Sequence, residues 1–161
     1  MERFGPLEEV AEGLAVGDPR RHALLLTPPG VVHLVQNEWR SAFDWSEIVL
    51  LNLDLKSSRH ALAGWITQIS YAALIAAVYD DPGFVPKDGS TAITDVDGVT
   101  ISLPVSRHHF GGYWYRSLLS TQGMLNQFIR NPESRELLTD PGVVISMVRK
   151  VAKSKTPASP P

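Results

Sequence analysis

The sequence predicts an α+β fold: a helix-rich single domain with a central buried helix and a small antiparallel β element, a mostly α fold being the alternative. Two observations carry this expectation. Residues 61–79 read ALAGWITQISYAALIAAVY, an uncharged run bracketed by Arg59-His60 and Asp80-Asp81. As a helix this run is about 28 Å long, and a helix apolar nearly all round belongs in a core or a bilayer. Thr67, Gln68 and Ser70 near its middle would lack partners in hydrocarbon, which favours the core. The second observation is residues 91–103, where TAIT and VTISL flank Asp95-Val96-Asp97-Gly98. Asp-Gly between two such runs is a hairpin signal that places both turn residues at positive φ.

The other elements follow in chain order. Residues 6–15 read as a short amphipathic helix, with Pro6 at its start and Glu8-Glu9 in the first turn. Gly17-Asp18-Pro19 breaks it, and an apolar Leu24-Leu25-Leu26 patch precedes Pro28-Pro29-Gly30. Residues 31–43 fit a strand through VVHLVQ or a helix reaching Trp39 and Phe43. Asp44-Trp45-Ser46-Glu47 has the spacing of a capping box, which announces a helix. The alternation of Leu51, Leu53 and Leu55 with Asn52 and Asp54 announces a strand instead. Ser57 or Ser58 can cap the central helix, and Asp80-Asp81-Pro82-Gly83 ends it. After the hairpin, Gly111-Gly112 marks a hinge. Helices are expected over 113–129, ended by Arg130-Asn131-Pro132, over 133–138, and over 141–153, with Pro141 at the start and Arg149, Lys150 and Lys153 at the end. The globular domain is thus expected over 1–153, with 154–161 a disordered tail rich in proline.

Composition excludes several chemistries. Hydrophobic residues at 43 % and charged residues at 20 % are ordinary globular values. A net charge of −2 gives no general attraction to nucleic acid. With no cysteine there is no disulfide, thiolate nucleophile or Cys-ligated metal. The N-terminus MERFGPLEEVAEG lacks the apolar run of a signal peptide, so the expected location is cytoplasmic.

No catalytic or metal motif is complete. GxxxxGK[ST], GxGxxG, GxSxG and HExxH are absent. Asp95-Val96-Asp97-Gly98 begins like a calcium loop, but Val99 stands where the third acidic ligand belongs. Gly13 and Gly17 make a GxxxG in an acidic stretch, where helix termination explains them. A basic run at 149–155 is short for nucleic-acid contact. Trp39, Phe43 and Trp45 form an aromatic patch suited to a core or an interface. The expectation is therefore no catalytic residues, no metal and no cofactor.

The densest group of recognition-type residues is SRHHFGGYWYRS, 106–117. Arg107, His108, His109, Tyr113, Trp114 and Tyr115 combine positive charge with aromatic area beside flexible glycines, a composition suited to binding. His108 and His109 point to opposite faces if the strand continues, which disfavours a shared metal. Apolar segments at 24–26, 31–43, 113–119 and 143–151 exceed what one core needs. The expected function is a non-enzymatic protein–protein interaction or assembly subunit, acting on a protein partner or as a homo-oligomer. One alternative is a small-molecule-binding domain or small enzyme with its site at 106–117. The other is a membrane-associated protein using 61–79.

Overall fold

The computed structural model describes residues 2–58, 88–108 and 112–154. Strands take 45 % of these residues and helices 31 %, so the chain is mostly β and the helix-rich expectation is corrected. The predicted central helix, 61–79, lies outside the described residues.

Six strands form an antiparallel meander in chain order: β1 (Arg3–Phe4), β2 (Leu7–Val10), β3 (Gly13–Asp18), β4 (His22–Leu26), β5 (Gly30–Val35) and β6 (Glu38–Asp44). A second antiparallel sheet has the order β10-β9-β7, from β7 (Ile48–Asp54), β9 (Gly89–Asp95) and β10 (Thr100–Val105). Two short strands, β8 (Ser57–Ser58) and β11 (Tyr113–Trp114), pair in parallel. Then come helix α1 (Tyr115–Arg130), a 3-10 helix (Pro132–Thr139) and helix α2 (Pro141–Lys153). No helix among the described residues is long and apolar enough to cross a membrane.

The expected helix over 6–15 is instead the β2–β3 hairpin. Leu7, Val10 and Leu14 have helical spacing, but Leu7 pairs with Val16 and Glu8 with Ala15 across a turn at Ala11-Glu12. Residues 31–43 resolve into two strands. Gln36 and Asn37 take φ of 54° and 64°, the left-handed pair that a two-residue hairpin turn requires between Val35 and Glu38. The capping-box residues make their bonds without a helix: Ser46 N–H donates to Asp44 Oδ1 at 2.8 Å, and Asp44 N–H to Glu47 Oε2 at 3.3 Å. The turn they close leads directly into β7, so the alternating pattern prevails over the local capping signal.

The hairpin expected at 91–103 is present as β9–β10, but its turn is longer than two residues. Of the turn residues Gly98 alone is left-handed, at φ 79°, and Asp95 Oδ1 accepts from both Asp97 N–H and Val99 N–H. Of the helices expected over 113–129, 133–138 and 141–153, the first starts at Tyr115 because Tyr113 and Trp114 pair as β11, the second is the 3-10 helix and the third has the expected bounds, with the Asp140 side chain capping α2 by accepting from Val143 N–H.

The main core lies between one face of the six-stranded sheet and the layer formed by β7, β9, α1 and α2. Leu7, Leu14, Leu24, Leu26 and Val31 meet Leu51, Ile93, Leu125, Phe128 and Val148 there. Trp45 joins this core through its ring against Phe128, while its Nε1–H donates to Thr27 O at 2.8 Å. Beyond β10 the chain crosses to the β3–β4 hairpin: Asp18 N–H donates to Ser106 O, and Ser106 N–H to His22 O. Gly17 permits this crossing, since a Cβ there would stand 2.5 Å from Val105 Cγ1 and 3.0 Å from Ser106 O.

Candidate functional site

Two features stand out chemically: a buried polar network under the residues singled out at 106–117, and an apolar groove on the helical layer. The network starts from β2. Its Glu8 side chain points inward beside His108, from the end of the β10 crossing, and Tyr113, from β11. The Tyr113 hydroxyl accepts from His108 N–H at 3.0 Å and shares a second hydrogen bond with His108 Nδ1 at 2.7 Å, whose direction follows the tautomer of the ring. Nε2 of the same ring lies 2.8 Å from Glu8 Oε2 without the alignment of a hydrogen bond. Arg3 donates to the same carboxylate oxygen at 2.7 Å.

The side chains of Glu8 and His108 and the residue Tyr113 are buried. Burial is the largest influence on His108 and the Arg3 charge the next, and together they lower its pKa to about 4 against the pull of Glu8 and Asp18. The imidazole is neutral at pH 7. Burial likewise raises the Tyr113 hydroxyl well above its ordinary value. The network can hold a neutral histidine between a phenol and a carboxylate, and it ties the 106–113 connection to the first hairpin. His22 and His33 stack nearby with ring centroids 6.0 Å apart, and desolvation followed by the His22 charge lowers the pKa of His33 against a bond to Pro104 O. Among the described residues no group of three or more acids and histidines could hold a metal ion.

The six residues expected to bind are thus divided. Arg107, Tyr113 and the side chain of His108 are buried, and Trp114 is half-buried just before α1. His109 lies outside the described residues. Tyr115 is exposed and opens the second feature. Of the aromatic patch, Trp45 is in the core, Phe43 is half-buried and Trp39 stands 65 % exposed on β6.

The groove has a volume of about 780 Å³ and runs between α1 and α2. Arg116 of α1 donates to Ser154 O just past α2, so the start of one helix lies beside the end of the other. Each helix spends one face on the core and presents a second apolar stripe to the groove. On α1 the stripe is Tyr115, Leu119 and Gly123; on α2 it is Met147 and Val151, 49 % and 63 % exposed. Phe128 and Val148 form the floor, shared with the core. Gly123 sits in the middle of α1, and a Cβ there would meet nothing within 4 Å. A glycine in a helix interior costs about 0.5–1 kcal/mol relative to alanine, and no neighbour explains this one. The sequence carried part of this signal in the surplus apolar segments at 113–119 and 143–151. It did not show that their outer faces adjoin.

No family model, curated protein or solved structure matches this chain.

Proposed function

We propose that the chain is a non-enzymatic interaction module that receives an apolar helix of a protein partner in the groove between α1 and α2. The observation that carries this reading is the second apolar stripe on both helices, converging on one groove beside the main core. Isolated exposed apolar residues are ordinary, whereas a contiguous lined groove marks an interaction site. An amphipathic or apolar helix laid in such a groove is a recurring recognition mode. Met124 and Met147 line it with adaptable side chains, and the open space over Gly123 admits a close backbone approach. Tyr115, exposed at the start of α1, contributes from the 106–117 region.

The test uses a fluorescent leucine–alanine helical peptide as the probe. Anisotropy is measured with the parent and with the Leu119→Glu and Met147→Glu variants. Both positions are exposed, so circular dichroism and melting should match the parent. Binding should weaken by roughly tenfold or more, because a carboxylate would be desolvated in the complex. Undiminished binding by folded variants overturns the reading. A second reading has one specific support: a volume of about 780 Å³ also suits a small apolar ligand. Native mass spectrometry showing a retained small molecule, lost in the Met147→Glu variant, would favour it.

A further inference from the structure

We infer that the helix met by the groove is α2 of a second copy of this chain, the two copies packing helical layer to helical layer about a two-fold axis. This rests on the groove reading above and names its partner. Of the twelve large apolar side chains exposed among the described residues, six lie on this layer: Tyr115, Leu119, Leu137, Val143, Met147 and Val151. The other six are spread over β6, β7 and the β9–β10 hairpin.

Helix α2 has the character that the groove selects. Its Val144, Ile145, Val148 and Ala152 are buried. Val143, Met147 and Val151, spaced i, i+4 and i+8, form an exposed crest. The crest adjoins the groove, because Met147 and Val151 also belong to one of its walls. A surface that carries an apolar ridge beside an apolar hollow is complementary to itself. A two-fold interface requires this, since the same patch then serves both subunits.

Charge sets the direction. Where α1 begins and α2 stops, the exposed charges on the helices are Arg116, Lys150 and Lys153. At the opposite end, beside Ser134 and Leu137 of the groove, the carboxylates of Glu133, Glu136 and Asp140 outnumber Arg130 and Arg135. An axis perpendicular to the helices lays the basic end of each copy over the acidic end of the other. An axis along the helices would set like charge on like.

The middle of the layer fits the same axis. Arg116 lies beside Ser154, and the two helices run in opposite directions. They rise equally per residue, so Gly123, seven residues beyond Arg116, stands level with Met147, seven before Ser154. The space over Gly123 is open, and Met147 is half exposed with a long, adaptable side chain. About this axis α2 crosses its copy at Met147, and Met147 of each chain reaches over Gly123 of the other. The helix-interior glycine then has a reason, which is close approach of the second copy.

Sedimentation equilibrium should show the parent at twice the mass of the chain, with monomer appearing on dilution. Leu119→Glu and Met147→Glu should raise the dimer Kd by roughly tenfold or more. Gly123→Leu, which fills the hollow and favours the helix, should weaken the dimer while leaving the fold intact. A Lys150→Glu, Lys153→Glu variant and a Glu133→Lys, Glu136→Lys variant should each associate less, and their equimolar mixture should recover the dimer. The chain has no cysteine, so introduced ones report alone. Met147→Cys should oxidise to a linked dimer, and Val143→Cys should link to Val151→Cys in a mixture but not to itself. Two copies of position 143 would stand about 12 Å apart along the helices, beyond the roughly 7 Å that a disulfide spans. Val143→Cys linked to itself overturns the inference, as does a dimer undiminished in the Leu119→Glu and Met147→Glu variants. A parent that stays monomeric at every concentration also overturns it, whether the groove holds a small apolar molecule or nothing. A monomer that still binds the leucine–alanine peptide leaves the proposed function standing, whereas one that binds no peptide removes both.

Discussion

At the level of single residues, His108 shows how burial changes what a side chain can do. In the sequence it stands among charged and aromatic neighbours and reads as a binding residue. In the fold its ring is enclosed by Tyr113, Glu8 and Arg3, and it is hydrogen-bonded to the Tyr113 hydroxyl. Its folded pKa of about 4 lies below the ordinary 6.5, so the unfolded chain binds more protons between these values. Stability contributed by the neutral ring is complete above pH 6.5 and is lost as the pH falls through the folded pKa. The difference corresponds to about 3 kcal/mol. Urea denaturation between pH 7 and pH 4 should show this decline, and His108→Gln should flatten it. An equally steep profile in the variant would assign the slope to other groups.

Among the elements, β7 depends on a helix for its outer edge. It is an edge strand of the three-stranded sheet, a position that leaves backbone groups unpaired. Gln122 of α1 answers two of them, with Oε1 accepting from Leu53 N–H at 3.0 Å and Nε2 donating to Leu51 O at 2.6 Å. The amide thus fastens the helical layer to the sheet and fixes the height of α1, and with it one wall of the groove. Gln122→Ala should destabilise by about 1–3 kcal/mol, since it leaves partly buried backbone groups without partners. An unchanged urea midpoint would show that water replaces the side chain. Arg135 secures the other end of α1: its guanidinium donates to Phe128 O and Ile129 O and lies 5.6 Å from the Trp45 ring centroid.

Among the described residues, the molecule is a β framework whose C-terminal helices pack over one sheet face. Residues 155–161, Lys-Thr-Pro-Ala-Ser-Pro-Pro, follow the last described residue and offer almost no apolar surface. Their deletion should leave the melting temperature unchanged, because there is little for them to bury. A fall of several degrees on calorimetry would show that the segment packs against the domain.

What the sequence determined by itself was local. Asn131-Pro132 and Asp140-Pro141 divide the C-terminal helices, and Asp95 with Gly98 turns the β9–β10 hairpin, because proline, glycine and aspartate act within a few residues of themselves. The surplus of apolar residues in the last helices was legible too. Tertiary structure decided the rest. Strands β3, β4 and β5 are buried on both faces, so they lack the alternation that announces a strand, and HALLL or VVHLV is equally at home in a buried helix. The β2–β3 hairpin carried apolar residues at helical spacing, and its cross-strand pairing of Leu7 with Val16 prevailed. The roles of Arg107, His108, Tyr113 and Tyr115 were set in the same way. Which side chain faces Glu8 and which opens onto a groove depends on the packing of elements far apart in the chain, and spacing along the sequence does not encode that distance.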